Sequence, residues 1–140
     1  MSAPNLRIAV ADAFGWRELT ADAAGAPIER ITAATLGEAS ARTARADRPV
    51  FVDVEVILDE SVPGALDAFD RRYPGVPDRI VHAGTPATLA GLLRDVWAAE
   101  VAHGVTLTTP DGAPLEASVL SHITAQLGAR GLAPALALFG

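Results

Sequence analysis

Positions 50–58 (Val-Phe-Val-Asp-Val-Glu-Val-Ile-Leu) set Val50, Val52, Val54, Val56 and Leu58 on one side and Phe51, Asp53, Glu55 and Ile57 on the other. A period of two predicts a strand, and the Val side reads as the helix-packed one, with the carboxylates pointing inward or onto a solvated or interface face. Shorter runs of the same kind lie at 6–11 (Leu-Arg-Ile-Ala-Val-Ala), 28–33 (Ile-Glu-Arg-Ile-Thr-Ala), 80–83 and 105–109. Between them the spacing turns helical. Trp16 to Ala24 carries apolar residues at helical intervals and ends at Gly25-Ala26-Pro27, a stop signal. Thr35 to Ala46 is rich in Ala and Arg, both good helix formers, and Asp47-Arg48-Pro49 breaks it. Ser61 is placed to cap a helix running to about Arg72, with Pro63 in its first turn. Thr85 and Pro86 start a long helix with the stripe Leu89, Leu92, Leu93, Val96 and Trp97, ended by Gly104. Leu115 to Ala129 gives the last helix, with Val119, Leu120, Ile123 and Leu127 on one side, followed by Gly131 and an apolar tail, Leu132 to Phe139.

Strands alternating with helices in this order predict an α/β domain of parallel βα units with right-handed crossovers. The first three strands start at residues 6, 28 and 50, short but adequate spacing for such units. With 140 residues, a single domain can bury a core without disulfides or a structural metal.

Composition narrows the chemistry. The absence of cysteine excludes disulfides, thiolate nucleophiles and Cys-based metal sites. All eleven basic residues are Arg, so Schiff-base and P-loop lysine chemistry are excluded as well. The net charge is −6, and the one adjacent basic pair, Arg71-Arg72, stands among Asp67, Asp70 and Asp78. An acidic chain without a basic stripe predicts no nucleic-acid partner. No apolar run reaches the roughly 18 to 20 residues of a membrane span, and residues 1–5 lack the features of a secretory signal. The expected location is cytoplasmic. His82, His103 and His122 form no H-x-x-x-H or H-E-x-x-H pair, so no metal site is expected. Ser118 and Ser121 lack a G-x-S-x-G context, and Trp16 and Trp97 read as core residues rather than as a flavin stack.

The ordered set of segments resembles the C-terminal part of the bacterial luciferase-like monooxygenases, a family of flavin- and deazaflavin-dependent oxidoreductases. Ala83-Gly84-Thr85-Pro86-Ala87-Thr88-Leu89-Ala90-Gly91-Leu92-Leu93 resembles the family's G-T-P-x-x-L-A-x-x-L helix start. Ala102-His103-Gly104-Val105-Thr106-Leu107 is similar to the entry into its last strand. The stretch from Ile123 and Leu127 to Arg130-Gly131-Leu132 resembles its V-P-x-L-x-x-R-G ending, and Val50 to Glu60 its penultimate strand. Ile31 to Leu36 looks like the strand and turn before that, and Ile8 to Ala11 like the strand leading to the cofactor-phosphate loop. The resemblance implies a (β/α)8 TIM barrel, of which this chain would supply roughly strands five to eight. It implies FMN or a deazaflavin as cofactor, with its phosphate at Ala13, Phe14 and Gly15. An ordinary βα turn capped by Asp12 is the other reading of that loop.

Half a barrel leaves sheet edges open. The expected remedy is homodimerisation, or a heteromer with a separately encoded complementary half, unless a helix or the tail folds over the sheet. The catalytic candidates are Asp53 and Glu55, carboxylates on one strand face suited to acid–base work, and His82, at a strand end where barrel enzymes place functional groups. Two functions follow: a luciferase-like oxidoreductase subunit completed by its partner, or a non-catalytic binding or partner subunit that keeps the fold without the cofactor pocket.

Overall fold

A computed structural model describes residues 6–20 and 27–129. The chain is mixed α/β, a curled sheet of mostly parallel strands with four helices among the described residues. In chain order these are β1 (Arg7–Asp12), β2 (Gly15–Glu18), β3 (Glu29–Ile31), α1 (Leu36–Arg45), β4 (Val50–Leu58), α2 (Val62–Arg72), β5 (Ile80–Gly84), α3 (Pro86–Ala98), β6 (Gly104–Thr108) and α4 (Ala117–Ala129). The predicted caps form: Thr35, Ser61 and Thr85 each accept a hydrogen bond from a backbone N–H in the first turn of α1, α2 and α3.

One expected element is different. The helix predicted from Trp16 is a strand, β2, which pairs antiparallel with β1 through Ala9↔Glu18, Val10↔Arg17, Ala11↔Trp16 and Asp12↔Gly15. Ala13 and Phe14 make a two-residue turn, and Gly15 stands at φ +107°, where a side chain would be strained. Contacts with neighbouring strands outweigh the helical spacing. Leu19 is buried, and Arg7 makes two hydrogen bonds to Glu18 across the hairpin, at 2.8 and 2.6 Å. The end of the predicted helix, Gly131 and the tail Leu132 to Phe139 lie outside the described residues.

The strand order also differs from a run of βα units laid side by side. It is β2-β1-β6-β4-β3, with β5 on β4 as well. The last strand, β6, lies between β1 and β4 and is parallel to both. β3 and β5 share the other side of β4 end to end: β3 pairs with Val50–Val52, and β5 with Val54–Leu58. Right-handed crossovers account for the helix positions. β3→β4 and β5→β6 run in the same direction across the sheet, so α1 and α3 fall on one face. β4→β5 runs back, so α2 falls on the other.

The two faces have different chemistry. Ile8, Val10, Val50, Val52, Val54, Val56, Val105 and Leu107 meet Ala39, Leu89, Leu93, Val96, Leu120, Ile123 and Leu127 of α1, α3 and α4 in one buried cluster. Burying each such Val or Leu contributes about 1.5–3 kcal/mol. The opposite face carries Arg7, Ala9, Phe51, Asp53, Glu55, Gly104 and Thr106, in rows fixed by the register Arg7↔Gly104↔Phe51 and Ala9↔Thr106↔Asp53. Phe51 is fully buried there, with the Arg7 guanidinium 5.0 Å from its ring centre and Trp16 edge-on at 5.5 Å. Trp16 also donates its indole N–H to Thr106 Oγ1 at 3.0 Å. Trp97 packs against the helix-side core.

Candidate functional site

Asp53 and Glu55 lie on the face opposite the α1–α3–α4 layer, as the Val pattern predicts, and each has its own partners. Asp53 is held by a two-point ion pair with Arg30, Nε to Oδ1 at 2.8 Å and Nη2 to Oδ2 at 3.0 Å. The pair raises the Arg30 pKa, chiefly through the hydrogen bond to Asp53. Glu55 is 4% exposed; it accepts a short hydrogen bond from the Tyr73 hydroxyl and lies 3.7 Å from Arg79. Burial, and then Glu55 itself, push the Tyr73 phenol up. Tyr73 ends α2, so this contact fixes the C-terminus of α2 to the sheet. Each carboxylate has its own cation.

His82 is half-buried on β5, with Nε2 2.9 Å from Thr88 Oγ1. Thr88 closes the capping box of α3 with Thr85. Gly84 permits this approach: a Cβ there would stand 2.1 Å from Thr88 Oγ1 and 3.0 Å from His82 Nε2. Burial lowers the His82 pKa below its ordinary 6.5. The unfolded chain therefore binds the proton more readily, and the folded state loses stability as pH falls through about 6.5 toward the lowered value. Glu18, held below its ordinary 4.5, contributes only further down: burial pushes it up, but bonds from Arg7 and Thr20 outweigh that. Thermal midpoints measured from about pH 7.5 to 5 are expected to fall, and His82→Gln to flatten that part of the curve. An unchanged slope in His82→Gln would remove His82 from the account.

Ala13, Phe14 and Gly15 form the β1–β2 turn. A phosphate loop of the expected kind needs the N–H groups of a following helix, and the following element is the strand β2. Asp12 Oδ1 accepts from Phe14 N at 2.8 Å, the Asp12 carboxylate pairs with Arg17 at 3.3 Å, and the Ala13 N–H is bound to Gly112 O. Phe14 is 82% exposed.

The open space lies elsewhere. β4 is followed by α2 on the polar face and β6 by α4 on the apolar face, so the chain diverges at the carboxyl ends of these two neighbouring strands. Open α/β sheets bind ligands at such points. A cleft of about 660 Å³ lies there, lined by Leu58, Asp59, Glu60, Thr85, Pro86, Ala87, Val119 and His122. A second, of about 440 Å³, adjoins it through the shared Leu58 and Val119 and extends to Thr109, Pro110, Leu115 and Glu116. Of the three histidines, the one in the cleft is His122; His103 is structural, its Nδ1 accepting from Val50 N at 3.0 Å. Sequence reasoning missed Asp59, Val119 and His122. Their one signal was position: Asp59 just past β4, and Val119 and His122 in the first two turns of α4, which follows β6.

Among the described residues no group of three or more His, Asp or Glu is placed to hold a metal ion, and no helix is long and apolar enough to cross a membrane. No protein-family model matches the chain, and neither does any curated protein.

Proposed function

We propose that this chain is a non-catalytic small-molecule-binding relative of the luciferase-like oxidoreductases, whose ligand sits in the cleft at the carboxyl ends of β4, β5 and β6. The observation that carries this reading is the joined cleft where α2 and α4 leave the sheet on opposite faces. Each of its two parts is within the roughly 300–1,000 Å³ usual for small-molecule sites.

The curled, mostly parallel sheet is compatible with a partial α/β barrel, while the return of β4→β5, which sets α2 on the other face, departs from a barrel's order. A closed parallel barrel pairs its last strand with its first, and β6 pairs parallel with β1 here. On this reading the chain keeps only some of the barrel's strands, with β2 paired antiparallel on the far side of β1. β2 is then the edge strand on that side, and β3 and β5 form the edge on the other, so a second copy or a complementary half keeps an edge to pair with.

An oxidoreductase would need a place for the flavin phosphate, and the turn at Ala13–Gly15 offers a carboxylate neighbour and no helix start. Titration of the purified chain into FMN and into a deazaflavin, followed by flavin fluorescence, is expected to leave the emission unchanged. Saturable quenching by either would restore the oxidoreductase reading and overturn this one.

A further inference from the structure

The sheet ends at β2 on one side and at β3 and β5 on the other, and these edges differ in charge. Exposed edges are normally protected by charged residues or proline. β2 carries Arg17 and Glu18, and β3 carries Glu29 and Arg30. β5, Ile80-Val81-His82-Ala83-Gly84, carries neither a charged residue nor a proline. Burial lowers the His82 pKa, so its imidazole is uncharged at neutral pH as well.

The free groups of the β5 edge follow from one hydrogen bond. Asp59 N donates to Gly84 O at 3.0 Å, so Gly84 turns its N–H and C=O toward β4. Ile80 and His82 do the same by the period of two. Val81 and Ala83 turn theirs outward, where among the described residues nothing bonds to them.

α2 adds an apolar flank on the same side. It packs on β5 and β4, with Ala65 fully buried against the sheet. A right-handed crossover from β4 to β5 turns the Arg72 flank of α2 toward β6 and the Val62 and Leu66 flank past β5. Arg72 donates to Pro110 O, just past β6, at 3.2 Å. Val62 and Leu66 are both exposed.

We infer that β5 and the Val62–Leu66 flank of α2 dock a second copy of this chain, the two β5 strands pairing antiparallel about a two-fold axis at His82. Such an edge is its own complement. Val81 faces Ala83 of the second copy and Ala83 faces its Val81, each pair exchanging both N–H···O bonds. Ile80 faces Gly84 and Arg79 faces Thr85, so no like charges are opposed. On β2 an equivalent axis at Arg17 or Glu18 sets like charge against like, which is unfavourable. His82 meets its own copy at a non-hydrogen-bonded position, where Cα atoms stand about 4.5 Å apart. The two α2 helices flank the axis on one face, and Val62 and Leu66 of each are covered by the other.

Sedimentation velocity of the chain at about 100 μM is expected to show a dimer. Leu66→Lys puts a charge on the exposed flank, and Ala83→Pro removes an outward N–H that no bond within the sheet uses. Each should weaken dimerisation at least about tenfold while circular dichroism stays unchanged. Leu66→Lys, at an exposed position, decides the matter if the proline variant misfolds. The chain has no cysteine, so mild oxidation of His82→Cys should link two chains through that position alone, at a Cα spacing that suits a disulfide. A monomer at this concentration, or a dimer that neither Leu66→Lys nor Ala83→Pro weakens, would overturn the proposal. A dimer weakened by both that His82→Cys does not link would overturn the axis at His82.

Discussion

Phe51→Ala is expected to cost about 3–5 kcal/mol, although Phe51 lies outside the main apolar cluster. Phe51 is the keystone of the second face. Its ring fills the space over Gly104, between the Arg7 guanidinium and the Trp16 edge, and is fully buried there. Removing it leaves a cavity on the side of the sheet where helix cover is thinnest, and takes away a packing partner of Trp16. The fit is reciprocal. A Cβ at Gly104 would stand 2.7 Å from the ring, closer than carbon atoms approach without displacement. Gly104→Ala alone is therefore expected to cost about 1–3 kcal/mol. Combined with Phe51→Leu, which withdraws the ring atoms that the new methyl meets, it should cost less than the two single changes added together. Urea unfolding of the four proteins gives the coupling directly. Strict additivity would mean that the ring and the glycine do not share this space.

Leu93→Ala should destabilise the chain by about 2–5 kcal/mol through the other face. Leu93 is fully buried at the middle of α3, in the cluster that joins α1, α3 and α4 to β4 and β6. α3 packs on α4 as well as on the sheet, so neighbours cannot close the gap without moving two helices. Leu92, one position along and only partly buried, is the internal comparison and should cost less when changed to Ala. Equal losses at the two positions would contradict the orientation of α3.

Much of this architecture was legible because it is local. The nine residues of β4 announce a strand through the Val alternation alone, and Thr35, Ser61 and Thr85 announce helix starts because a short hydroxyl side chain can satisfy a first-turn N–H. The hairpin was not legible in the same way. Trp16 and Leu19 fit a helical stripe, and what decides for a strand is Arg7, on the neighbouring strand, reaching Glu18. Strand order was hidden for a related reason: nothing in β1 or β6 marks the other as its partner.

The site divides along the same line. That Asp53 and Glu55 share a face follows from the period of two. That Arg30 holds one, and Tyr73 and Arg79 the other, depends on where β3 and the end of α2 come to rest. The cleft is set by the departure of α2 and α4 on opposite faces, a property of topology that no single segment carries.

The place of β6 in the sheet also has a bearing on how the chain is made. Ribosomal synthesis delivers β1 and β2 before β4, and β6 after all of them, yet β6 is the strand that joins the hairpin to β4. Until residues 104–108 emerge, the nascent hairpin has no neighbour, and β4 has only β3 and β5 along one side. Contacts as far apart in sequence as Arg7↔Gly104 are slow to form. The sheet is therefore completed only after β1 to β5 have all been exposed, with two edges waiting for the same late strand.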